Sequence, residues 1–491
     1  MAQFSLDRAA GVLLGQACGD ALGVPYEFGS ARLSAAGPAM IGGGLGGYAP
    51  GEWSDDTQMA ACIALVAATG ADLTSDAALD EIAAAFLDWG SNGATDIGNQ
   101  TRNVLRLARQ RTGPAGARLL TAARDHGRHN SNDAGNGALM RTAIVGLTRM
   151  DDRDATADAA RAVAGLTHPA DDAVDSCVLW SEAVRRAVLD GELNLTDGLD
   201  LLPPGRRDRW RGIIGAAETS PPSTFTSNGW TVTALQAAWS AIVHTPVPDL
   251  NPSAGTFPCQ QLQSALDVAV GIGHDTDTVA AIAGGLLGAR WGASALPARW
   301  RRIVHGWPSL HSRDLIRLSW LTATRGKADG SGWPEVDVMA YPVGRQPRVP
   351  HPADEKVLLG TVADLGQGET AAVSLCRLGA SEVPTRGVAT EDHIEFWLLD
   401  SDEPAKNPHL DYLLADIATT IAELRDEGHT VLVHCVAAEQ RTPSAALAYS
   451  RRVGLPAGQA SSVIKAALPS ARGHGRLWER AALVVPASPS D

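Results

Sequence analysis

The chain has 491 residues, enough for two or three domains with ample core. It is 45% hydrophobic and 20% charged, the composition of an ordinary globular protein, with a formal net charge of −14. That charge argues against nucleic acid or an anionic membrane surface as a partner, and no membrane span is expected.

The first stretch, MAQFSLDRAAGVLLGQACGDALG, has no basic leader region and carries Asp7 and Asp20 inside its apolar run, so it does not read as a signal peptide. Six cysteines contain no CxxC pair, which speaks against a disulfide framework or a zinc knuckle. The expected location is the cytoplasm. The four lysines are Lys327, Lys356, Lys406 and Lys465. Residues 1–326 therefore offer neither a Walker-A lysine nor a Schiff-base lysine.

In chain order, apolar positions recur at helical spacing over 5–22, 55–68, 77–89, 99–111, 116–125, 155–165, 171–189, 230–242, 261–272 and 277–290. Alanine dominates them, and turn signals such as NDAGNG and LPPG separate them. Residues 1–325 are expected to form an all-α domain. A Gly/Ser/Asp-rich linker, 326–345, follows. Short β-like runs at 357–365, 371–379, 393–400 and 430–435 then alternate with helical patterns at 408–427 and 443–452, which predicts an α/β domain over 346–486. The tail PASPSD is expected to be disordered.

Two of the predicted helices open on unusual charge. SDDT, with Ser54, Asp55, Asp56 and Thr57, opens one; DTDT, with Asp275, Asp277 and Thr278, opens the other. Either motif alone can be an N-cap, because Asp, Ser and Thr accept hydrogen bonds from free amides of a first turn. Used twice, the device points further. If the two starts meet, four carboxylates and several hydroxyls converge, and they repel one another unless cations lie between them. Hard cations such as Mg²⁺ or Mn²⁺ take about six oxygen ligands, and a pair of them roughly 3.5–4 Å apart activates water.

Six ordered motifs over the front of the chain resemble the ADP-ribosylglycohydrolase family. They are GVLLGQACGDALGVPYEF (11–28), SDDTQM (54–59), TDIGNQT (95–101), GNGALMR (135–141), LTHP (166–169) and DTDT (275–278). The resemblance implies an all-α domain with two Mg²⁺ ions, Mn²⁺ being the alternative, that removes ADP-ribose from a modified protein side chain. It implies that Ser54, Asp55, Asp56, Asp275, Asp277 and Thr278 hold the metals. Glu27 becomes a catalytic or gating carboxylate beside them. Asn136, Gly137 and Ala138 lie near the diphosphate and distal ribose, where glycine lets backbone amides approach a phosphate. His168 contacts the nucleoside, although a turn histidine before Pro169 would look the same. Asp96 in TDIG is similar to the arginine-specific branch, and a carboxylate pairs bidentately with a guanidinium. Arginine is therefore favoured over serine as the linkage, with an Asx-turn as the other role for Asp96. One departure is His274, where the family usually has glycine.

In the back domain, TVLVHCVAAEQRTPSAALAYS (430–450) places Cys435 and Arg441 at the two ends of a short loop between a strand and a helix. Such a loop cradles an oxyanion, and the helix start and Arg441 favour a thiolate. Thr442 is expected to hydrogen-bond that sulfur. The segment resembles the cysteine-dependent tyrosine and dual-specificity phosphatases. LLDSDEPAKNP (398–408) then supplies a general acid, Asp402 first and Asp400 second, unless it is only a solvated turn. Ala438 replaces the usual glycine, and Glu439 is an anion in a proposed anion site.

The leading expectation is thus a multi-domain enzyme: an all-α ADP-ribosylglycohydrolase-like domain followed by an α/β phosphatase-like domain. It would act on an ADP-ribosylated protein and on a phosphorylated substrate. A back domain that only binds phosphate or ADP-ribose, or a metal-dependent ADP-ribose sensor, are the alternatives.

Overall fold

A computed structural model describes residues 5–130, 133–342 and 348–485. The expected tail, 486–491, and the end of the expected linker, 343–345, lie outside these. The chain divides into two compact units: Met1–Pro246 with Gln261–Leu296 and Ile303–Lys327, and Val247–Gln260 with Pro297–Arg302 and Ala328–Asp491. Residues 328–342, read as linker from composition, belong to the second unit, where Trp333 is buried.

The first unit is helical. Its helices are α1 (Leu6–Gly23), α2 (Asp55–Ala67), α3 (Asp76–Asn92), α4 (Asn99–Arg109), α5 (Ala115–His129), α6 (Arg153–Gly165), α7 (Asp171–Asp190), α8 (Pro204–Thr219), α9 (Thr231–Val243), α10 (Gln261–Gly271) and α11 (Thr276–Trp291). A two-stranded ribbon, β1 (His305–Gly306) and β2 (Leu310–His311), and α13 (Ser312–Ala323) follow, while α12 (Ala298–Ile303) belongs, all but its last residue, to the second unit. α8 was not expected. Its charged sequence, PGRRDRWRGIIGAAET, hides a buried stripe of Trp210, Ile214 and Ala217 at helical spacing. No helix among the described residues is long and apolar enough to cross a membrane.

One helix pair positions the site. Gly11, Gly15, Gly19 and Gly23 recur every fourth residue and form one ridge of α1. A Cβ at Gly11 would meet the carbonyl of Gly288, at Gly15 that of Gly284, and at Gly19 that of Ala280. At Gly23 it would stand 2.5 Å from the Asp277 amide nitrogen. The glycines let the backbones of α1 and α11 touch along their length, which side chains would prevent. Asp20, one residue past Gly19, is thereby carried to the start of α11.

The second unit is built on a five-stranded sheet. Its strands are β3 (Val349–His351), β4 (Asp354–Thr361), β5 (Ala371–Ser374), β6 (His393–Glu395) and β7 (Val431–Cys435), in the order β3-β4-β7-β5-β6. β4, β7, β5 and β6 run parallel, and β3 pairs antiparallel at the edge. α14 (Leu410–Asp426), α15 (Arg441–Arg452), α16 (Ala457–Ala467) and α17 (Arg476–Ala481) complete the unit. Val357, Val373, Val431 and Val433 of the sheet share one core with Leu414, Ile417 and Ile421 of α14 and Leu447 of α15. This is the α/β pattern that alternating strand and helix signals predict.

Candidate active site

The start of α2 explains why two aspartates are free there. Thr57 occupies the third helical position, and its amide donates to Asp20 Oδ2 at 3.0 Å. The Ser54 amide donates to Asp20 Oδ1 at 2.9 Å. Asp20 of α1 thus does the capping, from another helix. The Ser54 hydroxyl caps nothing in its own helix and sits 2.8 Å from Asp20 Oδ1 and 2.9 Å from Asp56 Oδ2. Asp55 and Asp56 are left to face the start of α11.

There, oxygens of Asp20, Asp56 and Asp277 lie within 4.8 Å of one another, and so do oxygens of Glu27, Asp275 and Asp277. Asp277 belongs to both triads. Glu27 comes from the turn after α1, where its backbone leaves the helical region at φ −53° and ψ 128°. Asn136 donates to Asp275 Oδ2 at 2.7 Å and to the Asn228 carbonyl at 2.9 Å. Asn228 in turn accepts from the Asp275 amide at 3.1 Å. The Thr278 amide donates to Asp277 Oδ1 at 3.0 Å.

The electrostatics of this cluster are those of crowded, desolvated anions. Burial, then the charges of Asp275, Asp96, Asp55 and Asp20, push Glu27 up to about 8. Burial, then Asp96, Asp20 and Asp275, push Asp55 up to about 8. Asp56 and Asp277 are raised well above the ordinary carboxylate range, by burial first and then by Asp20, Asp55 and Asp275 for Asp56, and by Asp56, Glu27, Asp275 and Asp20 for Asp277. Burial raises Asp20 to about 6 against hydrogen bonds from Thr57 and Ser54, and raises Asp275 against bonds from Asn136 and Thr278. Asp56 Oδ1 is buried with no hydrogen-bond partner. Hard oxygen donors in two triads, with an orphaned oxygen among them, fit a pair of divalent cations.

The structure brings most of the sequence-nominated residues together: Glu27, Ser54, Asp55, Asp56, Asp275, Asp277 and Thr278 form the cluster, and Asn136 touches it. Asp96 is half-buried and accepts from the amide of the next residue, Ile97, at 2.8 Å, not from the amide two residues on that an Asx turn would use. Its charge still bears on Glu27 and Asp55. Gly137 lies against His168, and Ala138 is buried. His274 is exposed, with φ 63°, and its carbonyl accepts from the Phe28 amide at 2.7 Å. The left-handed backbone accounts for glycine being usual there.

Two features escaped the sequence reading. Asp20 lies within GDALG, where a carboxylate inside an apolar helix is itself a signal of a role. Trp230 is 44% exposed and lines a cleft of about 770 Å³ with Asp133, Gly135, Ala170 and Gly229. This cleft adjoins Asn136, whose amide donates to the Gly229 carbonyl at 3.2 Å.

In the second unit, Cys435 ends β7 and Arg441 begins α15, as the spacing predicts. Ala438 adopts φ 54°, the conformation that glycine takes without strain. The Glu439 side chain is exposed, so it need not oppose an anion in the loop. Arg441 donates to the Leu375 carbonyl at 2.6 Å, and its Nε is 3.3 Å from Asp400. Asp402 instead accepts from the Arg476 amide at 2.7 Å and pairs with Arg472 at 3.1 Å. Of the two acids, Asp400 is the one beside Arg441. The Thr442 hydroxyl reaches the Gly360 carbonyl at 3.3 Å, not the sulfur of Cys435.

Comparison with known proteins gives matches over the first unit. The pattern described as ADP-ribosylglycohydrolase matches residues 1–329. An ADP-ribosylarginine hydrolase, Tri1, of Pseudomonas putida (strain GB-1) is 32% identical over 309 residues, covering 60% of this chain and 74% of that protein. The ADP-ribosyl-[dinitrogen reductase] glycohydrolase of Rhodospirillum rubrum is 29% identical over 303 residues, covering 60% of this chain and 89% of the relative. A solved ADP-ribosylglycohydrolase-related protein complex aligns at 25% identity and TM-score 0.49, covering 66% of this chain and 99% of its own.

Proposed function

The chain belongs to the ADP-ribosylglycohydrolase family, and from that premise we propose that its first unit hydrolyses the bond between ADP-ribose and an arginine side chain of a protein. The observation that carries this reading is the pair of carboxylate triads joined at Asp277. The arginine linkage is supported by the ADP-ribosylarginine hydrolase named above and by Asp96, whose carboxylate suits a guanidinium.

Asp20, Asp55, Asp56, Asp275, Asp277, Ser54 and Thr278 would hold two divalent cations, Mg²⁺ by preference and Mn²⁺ as the alternative. Bound there, the ions supply positive charge that neutralises the cluster and acidifies water. The chain's own residues do the rest. Glu27, beside Asp275 and Asp277, holds or passes the proton that moves between water and the leaving nitrogen. Asn136 fixes Asp275 and with Asn228 ties the start of α11 to the cleft. Trp230 offers a flat apolar face for a base, and Gly135 and Gly137 let the backbone approach the diphosphate.

The test is release of free ADP-ribose from an ADP-ribosyl-arginine peptide, with Mg²⁺ and with EDTA, beside a serine-linked peptide. Metal-dependent release from arginine is expected. Release from serine alone would remove the role given to Asp96. Binding of ADP-ribose without release from either would make the unit a sensor.

For the second unit, Ala438 held in the conformation of the usual glycine favours an oxyanion cradle between Cys435 and Arg441. We propose a phosphatase-type site there, with Asp400 rather than Asp402 as the nearer acid. The same preparation offered p-nitrophenyl phosphate should hydrolyse it, and Cys435→Ser should not. Phosphate binding without hydrolysis would leave a binding module.

A further inference from the structure

Arg141 is fully buried in the first unit, and no ion pair to it is seen among the described residues. Its guanidinium lies 4.6 Å from the centre of the Phe86 ring. Nη1 reaches the Met59 sulfur at 3.4 Å, Nη2 reaches the Thr167 hydroxyl at 2.7 Å, and Nε has no partner. A buried cation held by such weak acceptors is costly. Burial lowers its pKa to about 10, so it stays charged at neutral pH. Its one short contact leads onward, because Thr167 Oγ1 is also 2.7 Å from His168 Nδ1.

The directions of these bonds follow from the donor inventory. Arginine only donates, so Thr167 Oγ1 accepts from Nη2. Thr167 is fully buried, and among the described residues its hydroxyl proton has one acceptor in reach, His168 Nδ1. The opposite tautomer would aim two donors at one oxygen beside a cation and strand the hydroxyl proton. The ring is also held neutral: burial, then the charges of Arg141 and His126, lower its pKa well below the ordinary range.

We infer that Arg141, acting through Thr167, is a positioning residue that fixes His168 as the Nε2–H tautomer, a permanent donor toward the glycine loop at Asn136. Nε2 has no hydrogen-bond partner among the described residues. A Cβ at Gly137 would stand 3.1 Å from Nε2, and one at Gly135 would stand 3.5 Å from it. Gly135 lines the cleft beside Trp230. The ring edge is thus met by glycine, and the donor is matched to an acceptor oxygen of the ligand, a diphosphate or ribose oxygen. This last point rests on the proposed function; the tautomer does not.

The test is nitrogen NMR of the intact protein labelled at histidine, with the His168 signals assigned by their loss in His168→Asn. Wild type should carry its proton on Nε2 and stay neutral from pH 6 to 8. Thr167→Ser should keep that spectrum, and Thr167→Val should give a mixture of tautomers. Loss of a fixed donor should raise KM for the ADP-ribosylated peptide about tenfold with kcat within about twofold. Added ADP should perturb Nε2 if the acceptor is in the diphosphate; a response to ADP-ribose alone would place it on the distal ribose. A proton on Nδ1 in wild type, which needs no variant to fold, overturns the inference, as does an unchanged spectrum in Thr167→Val. Absence of glycohydrolase activity with the Nε2 tautomer intact would instead count against the proposed function.

Discussion

Asp277 is the one carboxylate common to both triads, so it bears more of the site than any neighbour. Asp277→Asn keeps the shape and removes the shared charge. We expect kcat/KM for ADP-ribosyl-arginine to fall at least about hundredfold. Stability should move the other way. In EDTA, Asp277 must either stay charged among carboxylates or take up a proton, and both cost stability, so the variant should melt higher than wild type. In Mg²⁺ it should show little of the wild-type upward shift in Tm. Thermal melts of both proteins in both buffers read this directly; a variant less stable than wild type in EDTA would contradict the repulsion. The aspartates themselves were legible in the sequence, because two acids opening an apolar helix exceed what capping requires. The link from Arg141 to His168 was not, since Thr167 and Arg141 lie 26 positions apart and meet only in the fold.

At the scale of elements, the site depends on how closely α1 and α11 approach. Asp20 reaches Asp277 because Gly19 presents no side chain to the Ala280 carbonyl. Gly19→Ala should push the helices apart at the cluster. Overpacking of this kind costs about 1–3 kcal/mol, and Mg²⁺ affinity should drop more than tenfold as the triads open. Gly205→Ala on α8, where an added Cβ meets nothing within 4 Å, is the control and should leave both unchanged. Equal effects of the two variants would mean that the ridge is not what holds the cluster. Alanine-rich periodicity announced helices that pack closely, and it placed ten of them. It could not say which two would touch along their backbones, because that information lies in glycines spaced by four on one helix and opposite Gly284 and Gly288 on the other. α8 was lost for the opposite reason: its arginines masked three buried positions.

At the scale of the molecule, sequence composition separated a helical front from a sheet-containing back. It did not separate the units where the fold does, since Val247–Gln260 and Pro297–Arg302 belong with the second. Both segments are short, and the prolines Pro248, Pro252 and Pro258 mark the first as a loop without saying which unit it joins. The acidic character of the chain does, however, lead to a property of the whole protein. Unfolded carboxylates titrate near 4. In the folded, metal-free protein Glu27 and Asp55 titrate at about 8, and Asp7, Asp20 and Asp416 at about 6. Between these limits the folded state holds more protons than the unfolded one, so stability is present at low pH and is lost as pH rises through the folded values. The Tm in EDTA should therefore fall by at least about 5 °C from pH 5 to pH 8. Saturating Mg²⁺ should flatten most of that slope, because cation binding takes over from protons at the cluster. What remains should belong to Asp7 and Asp416, which lie outside it and are raised by burial against bonds from Ser294 and the charge of Arg301. Metal affinity should follow the complementary course and strengthen from pH 6 to 8, since each ion must displace protons to bind. A flat melting profile in EDTA, or an affinity that weakens with rising pH, would show that the cluster is already ionised without metal.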